Sequence, residues 1–517
     1  MSLLKSVGKV GGYTFLSRLL GFLRDQLIAF TFGAGDIAEA FLVAQRFPNL
    51  FRALFAEGAF NNIFVPMFAR KCELEGQSQA FSFSRDALSI MATWMLIFCG
   101  ICMSLMPWIM PIFAQGFSND PQKQALTTEL TRICLPYLGL VSLSTLFGGI
   151  LNSMGRFSAA AAAPILLNIF MIAFNLFGWW QGLGNSPESA RLQAWAVSTA
   201  GLAQLALVMF AAANAGAPVW PGIPRLTPDV RQLIRRSVPG IISGGVIQIN
   251  LAIATNIASS FKGGVSSLYY ADRLFQLPLG VIGVTIGVIL LPALSRKLRV
   301  GDHSAALAIK NRALELAMLL TLPATIALMI IGRPILHVIY EHGAFSRADT
   351  LSVVPALIAF AVGLPAFTLT KIFQPSFFAR EDTRTPTYFA IVAVVVNISA
   401  SLLLSRYLGY VGIALAFSIS AWLNAALLVF TSIARQYYQT DGRFRQRLSR
   451  ILVSVAAMGI VLVSLLHIIE GSFAPGTNFA THLWSLLVLL SAGTVTYAMA
   501  AQFTGAFTLQ DIKDSLK

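Results

Sequence analysis

The residues of this sequence that could do chemistry are bases inside apolar segments. The stretch SRLLGFLRDQLIAFTFGAGD at residues 17–36 carries Arg18 and Arg24 within a run that is long and apolar enough for a membrane helix. Other apolar segments hold further bases: Arg46, Arg52, Arg273 and Lys371. A charge near the centre of a membrane helix costs about 2.5–3.5 kcal/mol on insertion scales, so it normally faces a cavity or a partner. These bases therefore predict a polar cavity inside a membrane protein.

Acidic residues in the same segments are too few to pair with all of these bases. They are Asp25, Glu39, Glu57 and Asp272. The positive surplus indicates an anionic substrate, because the planar fork of arginine matches phosphate oxygens. At 100° per residue, Ser17 and Arg24 share one face of a helix, and Arg18 and Asp25 share another. We therefore expect the first helix to line a cavity that receives phosphate.

The bases inside the apolar segments also have structural interpretations, which stay open at this point. Ion pairs can tie helices together, and long basic side chains can reach the membrane surface; both interpretations apply best to Arg46 and Lys371. On the second segment Arg52 lies about 120° away from the stripe that Glu39 and Arg46 share, so these groups do not all converge. A voltage sensor is disfavoured, because the arginines are six residues apart and stand on separate segments.

Composition places the whole chain in the membrane. Of 517 residues, 56% are hydrophobic and only 11% are charged, whereas soluble domains carry about 25% charged residues. The net charge of +15 comes mainly from Lys and Arg in alternate loops. This bias predicts that both termini lie in the cytoplasm, and it leaves no basic domain for nucleic acid. The sequence has no P-loop and no acidic pair in a substantial loop, so we expect a transporter and not an enzyme.

Apolar runs of about 20 residues predict fourteen membrane helices. They start near residues 8, 37, 88, 131, 158, 192, 236, 265, 312, 349, 386, 411, 450 and 480. The predicted fold class is thus an all-α polytopic membrane protein. Short connections between the segments leave no room for a soluble domain.

The sequence also resembles itself at a shift of about 227 residues. AFLVAQRFPNLF with Arg46 corresponds to SLYYADRLFQLP with Arg273, and LLNI with Asn168 corresponds to VVNI with Asn397. Each copy of the repeat holds six predicted helices. This predicts two lobes related by a parallel repeat, with a substrate site between them. We expect an N-lobe at 1–219, a C-lobe at 220–440 and two extra helices, 13 and 14, at 441–517.

Three stretches carry a resemblance to a known family. SRLLGFLRDQLIAFTFGAG, EAFLVAQRFPNLFRALFAEGAFNNIFVPMFA and YYADRLFQLPLGVIGVTIGVILLPALS are similar to the MurJ (MviN) family of lipid II flippases. That family belongs to the multidrug/oligosaccharidyl-lipid/polysaccharide exporter superfamily. The resemblance implies a bacterial inner-membrane protein of peptidoglycan biosynthesis. It also implies a central cationic cavity, and a groove on helices 13 and 14 for the lipid tail.

The resemblance further implies which residues act. The family's essential arginines match Arg18, Arg24, Arg52 and Arg273, which are expected to bind the diphosphate of lipid II. Supporting cavity residues are expected at Ser17, Asp25, Glu39, Arg46 and Asp272. Such proteins move undecaprenyl-diphosphate-linked disaccharide-pentapeptide to the outer leaflet by alternating access. Because four arginines leave a net positive charge when they bind two phosphates, we expect the transport cycle to depend on membrane potential. Cell-wall synthesis or division proteins are possible partners.

Two departures from the family pattern affect the expected chemistry. Gln276 stands where some members have an acidic residue after the helix 8 arginine. Members that bind sodium use acidic residues on helices 7 and 11, and residues 237–261 and 385–406 contain no Asp or Glu. We therefore expect no bound metal or other cofactor. A flippase for another polyprenyl-diphosphate-linked glycan, a cation-coupled drug exporter and a non-transporting scaffold stay as alternatives.

Overall fold

A computed structural model describes residues 3–55, 59–474 and 476–507, so Glu57 lies outside the described residues. The chain divides into two compact units. Unit 1 comprises Met1–Ser266 and His342–Phe345, and unit 2 comprises Ser267–Glu341 and Ser346–Lys517. The lobes predicted at 1–219, 220–440 and 441–517 stay a prediction.

All regular secondary structure among the described residues is helical. The first part of the chain forms α1 (Leu3–Phe32), α2 (Asp36–Phe55), α3 (Ala59–Leu74), α4 (Gln77–Phe113), α5 (Pro121–Cys134), α6 (Pro136–Ser153), α7 (Ser158–Trp180), α8 (Pro187–Asn214) and α9 (Pro228–Ser259). The second part forms α10 (Gly264–Arg299), α11 (His303–Tyr340), α12 (Arg347–Phe378), α13 (Arg384–Leu408), α14 (Tyr410–Ala434), α15 (Gly442–Ile469) and α16 (Phe479–Thr504). Short 3₁₀ turns stand at Gln115–Asn119 and Glu470–Phe473.

The sixteen helices account for the fourteen predicted segments. The second segment covers α2 and α3, and the fourth covers α5 and α6, between which Pro136 begins a new helix. Among the described residues, ten spans are long and apolar enough to cross a membrane, or eleven if the bent α9 is counted. The all-α polytopic class is thus confirmed, whereas the number fourteen stays a prediction. The arginine-bearing helices α1, α2 and α10 lie outside that apolar set.

The packing of helices in unit 1 recurs in unit 2. In unit 1, α8 packs against α6 and α7, and α4 packs against α6. In unit 2, α14 packs in the same way against α12 and α13, and α11 packs against α12. This recurrence agrees with the parallel internal repeat. The two extra helices, predicted as helices 13 and 14, are α15 and α16. They pack against each other and against α11.

Each unit has its own apolar core. In unit 1, side chains from α1, α2 and their neighbours form a cluster around Phe32, Phe41, Tyr137 and Met171. In unit 2, one cluster joins α11 and α12 to α15 and the loop that precedes it, around Leu314, Phe373 and Tyr438. The first core holds α1 against α7, and the second holds the basic end of α11 against α12.

Candidate substrate-binding site

Arg24 is held in a fixed position where α1 meets α7. Its Nε and Nη2 donate to Oδ1 of Asp25 at 3.0 and 2.7 Å, and its Nη1 donates to Oδ1 of Asn168 at 3.0 Å. The amide of Asn168 in turn donates to the Ser17 carbonyl at 2.9 Å. Asp25 is buried, and only 11% of the Arg24 side chain is exposed. The same amide donates to the Ser17 hydroxyl at 3.5 Å, so the prediction that Ser17 and Arg24 share a helix face is confirmed by their common partner.

A second contact shows why Asn168 meets Arg24. Thr31 donates to Asn175 at 2.9 Å, and this pair stands seven residues beyond Arg24 and Asn168 on both helices. Equal spacing means that α1 and α7 run parallel and in register over two turns. The sequence pattern marks Asn168 as part of the internal repeat but does not indicate its contact with Arg24. Two asparagines seven residues apart in an apolar helix are the signal that could have revealed it.

The other bases of unit 1 have different surroundings. Arg18 is exposed, six residues before Arg24 on α1. Arg46 is half-buried and donates to the Thr255 hydroxyl of α9 at 3.0 Å. Arg52 is also half-buried and donates from Nε to Asn49, on its own helix, at 3.1 Å. Arg46 and Arg52 therefore point to different sides of α2, as the 120° separation predicts.

Glu39 lies in a buried ion pair. Its side chain is fully buried and accepts hydrogen bonds from Lys123 Nζ at 2.5 Å and from the Val265 backbone at 2.8 Å. Lys123 also contacts Asp36 at 2.9 Å and lies over the Phe117 ring at 4.1 Å. Lys123 occupies the first turn of α5. A structural ion pair thus accounts for Glu39, and its role in a cavity stays a prediction.

The candidates of unit 2 lie on α10. The Arg273 guanidinium lies over the Tyr269 ring at 4.7 Å, one turn earlier. Asp272 accepts a hydrogen bond from Gln276, the residue that departs from the family pattern. Lys371, on α12, is exposed. The Gln276 amide therefore donates a hydrogen bond to the Asp272 carboxylate. An acidic side chain at position 276 would repel that carboxylate instead.

Metal and thiol chemistry find little support in the described part of the chain. Cys99 and Cys102 are free and buried in α4. His337 contacts Glu341 at 2.8 Å, as their spacing of four allows, and its other ring nitrogen contacts His482 at 3.1 Å. No group of three His, Cys, Asp or Glu side chains that could hold a metal ion occurs among the described residues. The expected absence of bound sodium stays a prediction.

Sequence comparisons identify similar proteins over nearly the whole chain. Residues 28–483 match the family model described as lipid II flippase MurJ. A probable lipid II flippase MurJ of Rhizobium meliloti (strain 1021) is 42% identical over 519 residues, which cover 100% of this chain and 97% of the relative. The lipid II flippase MurJ of Burkholderia cenocepacia is 33% identical and covers 90% of each chain.

Solved structures show the same fold. A lipid II flippase MurJ in an inward closed conformation superposes with a TM-score of 0.78 at 22% identity, covering 96% of this chain and 98% of the other. An inward-facing multidrug resistance MATE family transporter of the MOP superfamily superposes with a TM-score of 0.67 at 13% identity, covering 81% and 94%. At these identities the structural likeness establishes the fold alone.

Proposed function

The chain belongs to the lipid II flippase MurJ family, and on that premise we propose how its residues carry the substrate. It is a lipid II flippase, a multi-pass transporter of the inner membrane and not an enzyme. Its substrate presents a diphosphate between an undecaprenyl chain and a sugar-peptide headgroup. We assign binding of that diphosphate to Arg18 and Arg24 of α1, together with Arg52 and Arg273.

The observation that carries this assignment is the fixed guanidinium of Arg24. Because Asp25 and Asn168 hold it from two sides, little side-chain entropy is lost when a phosphate binds. Asp25 also neutralises part of its charge, whereas exposed Arg18, about 9 Å earlier along the helix, adds a further positive charge to this part of α1. In this proposal Arg18 attracts the diphosphate, and Arg24 orients it.

Transport then follows from alternating access. The headgroup crosses in a water-filled cavity while the tail stays in lipid along α15 and α16. The positive-inside bias predicts that both termini and the basic loops lie in the cytoplasm. A carrier with surplus positive charge feels the membrane potential, worth about 2.3 kcal/mol per charge per 100 mV, in its return step. Collapsing the potential in cells should therefore stall flipping, and undiminished flipping would contradict this step.

The substrate and the role of Arg24 are tested together by depletion of the protein in its host. Lipid II exposed on the outer leaflet is measured after complementation with wild type, Arg24→Ala or Arg406→Ala, at equal membrane levels of each protein. Arg406 is an exposed arginine in the last turn of α13 and serves as the matched control. We expect wild type and Arg406→Ala to restore exposure and Arg24→Ala to reduce it about tenfold or more, because a charge-assisted contact is lost.

The two conclusions fail separately in this experiment. Normal lipid II exposure after depletion would contradict the substrate and favour another polyprenyl-diphosphate-linked glycan. Full rescue by Arg24→Ala would leave the substrate intact and return Arg24 to a structural ion pair with Asp25.

A further inference from the structure

A small cavity in unit 2 brings together polar groups that transport by α1 does not use. It lies where the beginning of α11 meets the end of α12 and the chain between α14 and α15, and its volume is about 50 Å³. The side chains that matter in its lining are Lys310, Ser376, Arg380 and Tyr437. A water needs roughly 10–15 Å³ of such space, so the cavity can hold a few waters or one small oxyanion.

Lys310 is the buried ammonium of this cavity. Its side chain is 1% exposed, and among the described residues nothing accepts a hydrogen bond from its Nζ. The ammonium lies over the rings of Phe373, at 4.1 Å, and Tyr438, at 5.0 Å. Aromatic faces attract the charge but provide no lone pair for its three N–H groups. A buried ammonium in this state is costly unless another group accepts from it.

Ser376 adds a second buried polar group to the cavity. Its hydroxyl makes no hydrogen bond to any described residue. The nearby Arg380 donates to the Ser376 carbonyl at 2.8 Å and lies over the Tyr437 ring at 4.2 Å. Arg380 also lines the cavity, and its guanidinium carries a charge of the same sign as the Lys310 ammonium. The charged residues of the lining are thus two bases, and its other polar groups include the hydroxyl residues Ser376 and Tyr437 and the imidazole of His303, whereas the described residues contribute no carboxylate to it.

The end of α14 builds the aromatic wall of this cavity. The helix ends at Ala434, and Gln436 then takes a left-handed conformation with φ of 58°. The backbone N–H groups of Tyr437 and Tyr438 both donate to the Ser432 carbonyl, at 2.7 and 3.1 Å. This helix-ending turn folds the chain back, so that the two tyrosine rings reach the two bases.

A neighbouring cluster at this end of unit 2 pairs its basic side chains with acidic ones. Glu315, one turn further along α11, accepts from Arg312 and from Arg447, the latter at 3.3 Å. Arg312 also contacts Asp441 at 2.7 Å. Bases and acids therefore meet in that cluster, whereas Lys310 and Arg380 share no acid in the part of the chain that the structure describes. The difference indicates that the missing negative charge comes from a ligand.

We propose that this cavity binds a phosphate oxyanion, with Lys310 and Arg380 supplying charge and the Ser376 hydroxyl supplying a hydrogen bond. Lys310 lies about 10 Å along α11 from its start, at the end of the helices where the basic loops stand. Basic pockets between membrane helices on that side suit anionic lipid headgroups, and free phosphate offers the same oxygens. The site lies within unit 2 and does not depend on the α1 site.

The test uses the purified full-length protein in phosphate-free detergent. Thermal unfolding is followed while inorganic phosphate is added at constant ionic strength, for wild type, Lys310→Met, Ser376→Ala and the control Lys297→Met. Lys297 is a half-exposed lysine at the same end that pairs with Asp302 at 3.4 Å. In parallel, retention of phosphatidylglycerol against phosphatidylcholine is measured by native mass spectrometry of each variant from mixed nanodiscs.

Loss of the lysine should weaken phosphate or phosphatidylglycerol binding about tenfold or more, and Ser376→Ala should weaken it less, while Lys297→Met binds as wild type does. A response to inorganic phosphate in lipid-free detergent identifies the free ion as a ligand, and a response to phosphatidylglycerol alone identifies a headgroup. The proposal is overturned if wild type responds to neither, if Lys310→Met and Ser376→Ala both respond as wild type does, or if sodium chloride at equal ionic strength produces the same stabilisation.

Discussion

Lys123 in unit 1 and Lys310 in unit 2 are buried lysines with the same aromatic support and opposite polar surroundings. Each Nζ lies 4.1 Å from the centroid of a phenylalanine ring, Phe117 in one case and Phe373 in the other. Lys123 also contacts Glu39 at 2.5 Å, whereas Lys310 has no hydrogen-bond partner among the described residues. An aromatic face can therefore hold an ammonium in place, but only an acceptor satisfies its donors.

This difference indicates that Lys123 has a structural role in an ion pair, whereas Lys310 is available to bind a ligand. When both members of a buried ion pair are present, removing one strands the other at a cost of about 3–5 kcal/mol. When a buried base has no partner, its replacement by an apolar side chain of similar size strands nothing. The same substitution should thus have different consequences at the two positions, and this contrast can be measured.

The largest effect is expected for Lys123→Met. Glu39 would keep its contact with the Val265 backbone but would lose its counter-charge while fully buried. We expect the free energy of unfolding to fall by about 3–5 kcal/mol, measured by reversible unfolding in detergent micelles. Lys297→Met is the control, and its partly exposed ion pair should contribute about 1 kcal/mol or less.

The double variant Lys123→Met/Glu39→Gln shows whether the stranded charge is the cause. Glutamine can still accept from the Val265 backbone, so about 2–3 kcal/mol of the lost stability should return. If the double variant is as unstable as Lys123→Met alone, packing explains the loss, and the comparison between the two lysines fails.

Neither lysine could be recognised as buried from the sequence, for one physical reason. The apolar runs that mark the fourth and ninth membrane segments begin near residues 131 and 312, whereas the helices begin at Pro121 and His303. Helices extend beyond the apolar run, and their first two turns carry the charges that hydropathy assigns to loops. Lys123 and Lys310 both stand in these turns. Their burial depends on side chains that approach from distant parts of the chain.

Other features were predictable because they depend on local pattern. The ten clear membrane spans of the described residues follow from runs of about 20 apolar residues, and the common face of Ser17 and Arg24 follows from helical periodicity. The contact of Arg24 with Asn168 was not predictable in this way, since the residues are 144 positions apart. It requires that α1 and α7 pack parallel and in one particular register. The role of the arginines in phosphate binding stays a prediction, which the depletion and complementation experiment tests.

A smaller effect is expected when Asn168 is replaced by leucine. Its amide accepts from charged Arg24 and donates to Ser17, so Asn168→Leu should lower the free energy of unfolding by about 1.5–3 kcal/mol. The matched control is Asn397→Leu, the equivalent residue of the internal repeat, which donates to the neutral Ser420 hydroxyl at 3.3 Å. That variant should lose about 0.5–1.5 kcal/mol.

This pair of variants extends the comparison from lysines to an arginine. A larger loss for Asn168→Leu than for Asn397→Leu would show that acceptors count most where they serve a buried base. Equal losses in unfolding measurements would mean that the charge of Arg24 is fully met by Asp25 and that Asn168 contributes only as an ordinary polar contact.

The smallest effect is expected for Lys310→Met in phosphate-free detergent. Methionine fills much of the same volume against Phe373 and Tyr438, and no carboxylate is left stranded among the described residues. The free energy of unfolding should change by less than about 1 kcal/mol or rise slightly. Phosphate at one hundred times the wild-type dissociation constant should then stabilise wild type by about 2.7 kcal/mol and Lys310→Met by about 1.4 kcal/mol or less. A loss of about 3–5 kcal/mol without phosphate would mean that Lys310 is satisfied within the chain, as Lys123 is, and that the two lysines do not differ in kind.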